Sequence, residues 1–211
     1  MQSLISNIPA FVATTFLLAM VPGQGVAMIL RQSILGGPKA AVLSLLGNSL
    51  GLITWGTLSA VGLSAIFATS PTAYAILKWS GVIFLIYLSI RTLMALRNEF
   101  GKFDLQSSGQ VSTWPAIRLG LLTNLTNVKA AVFAVAFIPQ FVPADFSLGW
   151  GIFIFGLIWP LVSTSWYLFL IWTVDKSAAF IQRARVRRAL TAISAIGIMA
   201  LAIGLALSSS R

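Results

Sequence analysis

An all-α polytopic membrane protein, with six transmembrane helices arranged as two inverted three-helix repeats and both termini outside, is the fold class this sequence predicts. Three observations predict it. The first is composition: 58% of the 211 residues are hydrophobic, only 9% are charged, and the mean hydropathy is +0.93, whereas ordinary soluble domains carry about 25% charged residues. The second is recurrence, since apolar stretches near the roughly 20 residues that span a bilayer return along the whole chain. The third is the placement of cations. Arg31 and Lys39, then Arg91, Arg97, Lys102 and Arg118, then Lys176, Arg183, Arg185, Arg187 and Arg188 fall around the loops after the first, third and fifth spans, while the opposite side has only Lys78 and Arg211. The positive-inside bias puts those three loops in the cytoplasm. Each half then has three spans, and an odd number makes the second half enter the membrane upside down relative to the first, which is a transporter architecture.

The net charge of +10 is therefore a topology signal rather than a sign of nucleic acid, and no nucleic-acid partner is expected. Cysteine and histidine are both absent, which removes disulfides, thiol redox chemistry, imidazole bases and the common transition-metal ligands; no metal or other cofactor is expected. Only Glu99, Asp104, Asp145 and Asp175 are acidic, and none falls mid-span, so an enzyme has the least support. The expected partners are a small molecule and the lipid bilayer, with homo-oligomerisation left open. The chain reads as one transmembrane domain, 1–211, with a first repeat over 1–98, a cytoplasmic linker over 99–113 and a second repeat over 114–211.

The first span covers about 8–30 and is interrupted by Pro22-Gly23-Gln24-Gly25. The residues before it carry no Lys or Arg, so they lack the basic region of a cleaved signal peptide and are expected to lead into a retained span. Proline at position 22 removes the bond to the Leu18 carbonyl, and the glycines let the backbone bend or let another group approach closely. Span two, about 40–68, contains Gly47-Asn48-Ser49-Leu50-Gly51, a small-xxx-small face for helix packing, beside which Asn48 and Ser49 could face a cavity. Span three runs over about 74–96.

Span four, about 115–138, holds Thr123-Asn124-Leu125-Thr126-Asn127-Val128-Lys129 and ends before Pro139. From Arg118 to Lys129 is eleven residues, roughly 16 Å of helix and half of a bilayer core of about 30 Å. A lysine at that depth needs a polar cavity or a counter-group, and an intramembrane charge is functional by default; a structural lysine bonded to backbone carbonyls is the competing reading. Asn127 is suited to cap a half-helix that starts inside the membrane. Span five, about 147–173, has a Trp159-Pro160 kink with Ser163, Thr164 and Ser165 beyond it, hydroxyls that could repair the backbone. The basic stretch 176–188 that follows is expected to lie on the anionic cytoplasmic leaflet or to act as a solvated topology signal. Span six covers about 189–207.

The two interruptions occupy the same place within their halves, and paired broken helices at a repeat interface point to a site at the midplane. With Val21-Pro22-Gly23-Gln24, the run 120–130 and Pro139-Gln140-Phe141 in view, the chain resembles the LysE/RhtB family of amino-acid exporters from end to end. Members show a Pro-Gly-Pro motif in the first span, Asn-Pro-Lys-Ala in the fourth and Pro-Gln-Phe closing the fourth. The resemblance implies six spans and proton-driven export of an amino acid or related metabolite from the bacterial cytoplasm, through the inner membrane. This chain departs at Gln24 and Val128, where the family has prolines, and the two departures fall at equivalent positions when 128 is laid on 24.

The site expected at the crossing comprises Lys129, Asn124, Asn127, Thr126, Pro22, Gly23, Gln24, Gly25 and Asn48. Lys129 and the amide groups after Asn127 would take a substrate carboxylate, and carbonyls near Leu18 and Ala19 its ammonium, with Gln24, Asn124 and Thr126 as neutral partners. A lysine with no mid-span carboxylate argues against a dicationic ligand. The candidates for energy coupling are Lys129 itself, Asp175 and Asp145. A passive channel or facilitator for a small polar or anionic solute is the alternative; it shares the broken helices but needs no occluded state.

Overall fold

The computed structural model describes residues 2–21, 23–69, 71–95, 112–182 and 184–207. Pro22 and nearly all of the linker lie outside the described residues. Among those described, every regular element is helical: α1 Gln2–Met20, α2 Gln24–Leu35, α3 Gly37–Thr69, α4 Pro71–Ala95, α5 Thr113–Leu125, α6 Val128–Phe141, α7 Leu148–Gln182 and α8 Ala184–Leu207. Stretches of α1, α3 and α7 are each long and apolar enough to cross a membrane, and α5 with α6 makes a fourth candidate, bent by 56° at the break between them. At about 1.5 Å per residue, the 19 residues of α1 reach roughly the thickness of the hydrocarbon core.

Glycine sets the closeness of the central helices. A Cβ on Gly47 of α3 would run into the Ile117 carbonyl oxygen of α5, and one on Gly120 into the Ser44 carbonyl oxygen, so these backbones touch. On its other side α3 meets α7 where Gly56 faces Gly156; a Cβ on Gly56 would stand 2.9 Å from the Gly156 Cα. Lipid is as apolar as a protein core, so such crossings are held by close packing rather than by burial of oil from water. Around this centre α1 packs on α7 and α8, and α4 packs on α8 and the π-helical part of α6.

The winding of α6 changes along its length. It is α-helical over Val128–Val132, π-helical over Phe133–Phe137 and 3-10 over Ile138–Phe141. Pro139 lacks the N–H that would close an α-turn onto Val135, and π-bulges are one way a helix absorbs such a loss. The same stretch brings Phe133 within 4.9 Å of the Trp159 ring and 6.1 Å of Phe11, which in turn lies 4.6 Å from Phe155. Together with Phe141 these rings fill the space between α1, α6 and α7. At one end of that cluster Asn7 donates to the Phe141 carbonyl at 2.9 Å and Ser3 to Asp145 at 2.9 Å, which fixes the start of α1 beside the turn after α6.

Two expectations on boundaries are corrected. α1 is helical from Gln2, well before residue 8, because its early polar residues find partners at the far end of α6. The helix of span five runs past residue 173, with α7 continuing through Lys176 to Gln182, and α8 begins at Ala184, ahead of residue 189.

Candidate substrate site at the helix breaks

The break between α5 and α6 is built from local chemistry. Asn127 is the N-cap of α6, in extended conformation, and its Oδ1 accepts from the Lys129 backbone N–H at 3.1 Å. That bond satisfies one of the donors a helix start leaves unpaired. Thr126 closes α5, its hydroxyl donating to the Leu122 carbonyl at 2.8 Å. Val128 is then the first residue of α6, as Gln24 is of α2. Proline is tolerated at that helical position because its N–H has no intrahelical partner. Both departures from the family pattern therefore fall where a proline starts a helix but is not needed to break one.

Lys129 reaches across to the other break. Its Nζ donates to the Leu18 carbonyl at 3.0 Å and, at 3.4 Å, to the Val21 carbonyl. A Cβ on Gly23 would lie 3.7 Å from the same Nζ, in ordinary contact. Leu18, one of the two carbonyls expected to receive a substrate's ammonium, thus holds the protein's own amino group in this conformation, with Val21 in the place expected of Ala19.

Beside Lys129, Asn124 Nδ2 donates to Asn48 Oδ1 at 3.1 Å and the Trp55 indole N–H donates to the Asn124 carbonyl at 3.3 Å. Asn124 Oδ1 is buried with no hydrogen-bond partner. A buried acceptor left unpaired costs about 1–3 kcal/mol, a feature that calls for a function. The cavity that Asn48 and Asn124 share with Lys129, Ser163 and Tyr167 has a volume of about 20 Å³, room for about one water.

The structure brings together Lys129, Asn124, Asn127, Asn48 and Gly25, with Gly23 at the edge. Gly25 is buried, and a Cβ there would stand 2.8 Å from the Tyr167 hydroxyl and 3.7 Å from Asn48 Oδ1, so the start of α2 lies flat on those two side chains. Gln24 and Thr126 lie apart from this group, in a larger cavity of about 370 Å³ between α2 and α5. Asp145 is exposed and bonded to Ser3; Asp175 is exposed with Lys176 3.9 Å away. Neither aspartate lines the Lys129 cavity.

Sequence reasoning missed Tyr167 and gave Ser163 only a backbone role. Of the three hydroxyls after Pro160, Ser165 does bond back to the Val162 carbonyl at 2.7 Å, Thr164 pairs with Ser49 at 3.0 Å, and Ser163 faces the cavity. The signal was the spacing Gly156, Ser163, Tyr167, small or polar residues that recur on one face of α7 beside Trp159.

A model of the LysE type translocator family matches residues 16–209. The chain belongs to this family. As a translocator it is a transporter and not an enzyme, and the apolar helices are those of a membrane protein. It is 37% identical over 134 residues, 63% of either chain, to a homoserine/homoserine lactone efflux protein of Salmonella typhimurium (strain LT2). It is 26% identical over 215 residues, 99% of this chain and the whole of the relative, to an uncharacterized membrane protein of Bacillus subtilis (strain 168). With an uncharacterized membrane protein of Pseudomonas aeruginosa (strain PAO1) this translocator shares 28% over 211 residues, 98% of this chain and 96% of the relative. No solved structure matches it significantly.

Proposed function

We propose that the protein exports an amino acid or amino-acid-like metabolite across the bacterial cytoplasmic membrane, as a proton-coupled secondary transporter of six spans in two inverted repeats with both termini outside. The observation that carries the reading is Lys129 Nζ on the carbonyls of Leu18 and Val21, at the point where two broken helices meet. A zwitterion can enter by exchange: its ammonium replaces Nζ on those carbonyls, and the released Nζ pairs with its carboxylate. No charge is left alone at any stage, which matters where an unpaired charge is costly. Asn124 Oδ1, buried and unpaired, is a ready acceptor for a hydroxyl or ammonium of the substrate. The efflux relative, whose name cites homoserine and its lactone, supports a small substrate of this kind.

The contact pattern supports the inverted repeat. Taking α1–α2 and α5–α6 as spans one and four, exchange of the halves turns the contact of span one with α7 into that of span four with α3, turns its contact with α8 into that of span four with α4, and maps α3–α7 and α4–α8 onto themselves; all six contacts exist. Arg31 and Leu119 line one cavity, which puts Arg31 and Arg118 at the same end, in keeping with a cytoplasmic face there. The closeness of the Lys129 cavity favours alternating access over an open pore.

Coupling falls to Lys129, because both candidate aspartates are exposed and away from its cavity. A proton taken up or released at Nζ in exchange for substrate would tie export to the pH gradient. Efflux from liposomes with and without an imposed pH difference tests this, for the parent, Asp145→Asn and Asp175→Asn. Coupled efflux in all three is expected. A parent indifferent to the pH difference removes coupling, and loss of coupling with intact downhill flux in Asp175→Asn moves the proton site off Lys129.

A further inference from the structure

The larger cavity has features that the export reading alone does not use. It lies between one face of α2, carrying Gln24, Met28 and Arg31, and one face of α5, carrying Leu119, Thr123 and Thr126. α2 runs away from the helix breaks and α5 runs toward them, so Gln24 and Thr126 stand at the inner end and Arg31 and Leu119 at the outer end, about 10 Å apart along the helix. The inner end adjoins Gly23, and hence Lys129. At about 370 Å³ the slot falls within the range of small-molecule clefts, whereas the 20 Å³ beside Lys129 does not. In this conformation an amino acid fits the slot and not the site at the breaks.

The chemistry of the slot is one-sided. Arg31 brings a guanidinium that can grip a carboxylate with two parallel bonds. Gln32 also lines the slot, is 6% exposed, and has a buried Oε1 with no hydrogen-bond partner. Thr126 already donates its hydroxyl proton to Leu122, so its oxygen faces a ligand as an acceptor. Among the described residues, no acidic one lines the slot. An anion is therefore received by a cation and a single ammonium by neutral oxygens, while a second ammonium would find no anion.

Resting on the export reading above, we propose that the slot is a separate loading site, which holds an amino-acid zwitterion by its carboxylate on Arg31 before Lys129 receives it. It selects free amino acids with one positive charge against lactones, which lack the anion, and against dibasic amino acids.

The test measures concentration dependence of transport in liposomes for homoserine, homoserine lactone, threonine, leucine and lysine. Arg31→Lys keeps the topology signal but loses the fork, and Gln32→Leu changes no charge. Each should raise the KM of the best neutral amino acid, on the order of tenfold for Arg31→Lys, with the maximal rate nearly unchanged and lactone transport unaffected. The chain has no cysteine, so Thr123→Cys supplies a single label site for a maleimide applied from the cytoplasmic side. In a Lys129→Met background, where transport is lost, homoserine should still slow labelling and the lactone should not. Unchanged KM in both slot variants, or protection that disappears with Lys129→Met, overturns the loading site while leaving export intact. A parent that moves none of the five compounds overturns the export reading instead.

Discussion

A lysine whose Nζ sits on two backbone carbonyls can be a structural prop or a working ligand, and one substitution separates the two. Lys129→Met keeps the length of the stem and removes the charge. If the ammonium exists to meet a carboxylate, export should fall by tenfold or more, since bonds to charged groups are worth about 1.5–3 kcal/mol. Thermal stability in detergent should be unchanged or raised, because a buried ion replaced by an apolar side chain is often neutral or stabilising. Efflux near the parent level would leave Lys129 as a prop. The need of Lys129 for polar partners and the cap at Asn127 were legible in the sequence because each has a local signature, a charge inside an apolar run and an Asn just before a helix. The Asn48–Asn124 pair and Tyr167 were not, because what they touch is decided by which faces of α3, α5 and α7 meet, and that depends on contacts 76 residues apart in the chain for the asparagines. Gln24 and Thr126 were assigned by sequence proximity to the breaks; the structure turns both toward the neighbouring slot.

At the scale of the helices, the departures from the family pattern become testable through position. Val128 opens α6, where a proline fits without loss of a bond, so Val128→Pro should leave the melting temperature within the shift that about 1 kcal/mol produces, and leave export intact. A variant that fails to fold would mean that the break depends on the Val128 N–H. Gly120→Val offers the contrast. Its Cβ would meet the Ser44 carbonyl, which belongs to backbone and cannot swing aside, so α3 and α5 must part and both stability and transport should fall. Gly204→Ala, with nothing within 4 Å of the new atom, is the control and should be silent. Equal melting temperatures for the two would argue that the α3–α5 crossing is loose. Small-xxx-small spacing announced such a crossing in the sequence but not its partner. The run of α7 through Lys176 was likewise hidden, since basic residues mark a membrane boundary and say little about where a helix ends.

For the whole molecule, the decisive feature is that the cation seated on Leu18 and Val21 belongs to the chain. A carrier must reset after each delivery, and carbonyls aimed into an empty apolar interior would resist that return. On the export reading, the unladen carrier is its own passenger: a nitrogen that donates to those carbonyls occupies the same seat whether or not cargo is aboard, with or without the proton that coupling moves. Travelling back empty should then be about as easy as travelling out loaded. Placing the same amino acid on the receiving side should therefore leave the initial efflux rate nearly unchanged, where a carrier with a reluctant return leg would be sped up several-fold. If that holds, Lys129 would let the proposed exporter lower a cell's internal store of an amino acid without demanding another amino acid in return.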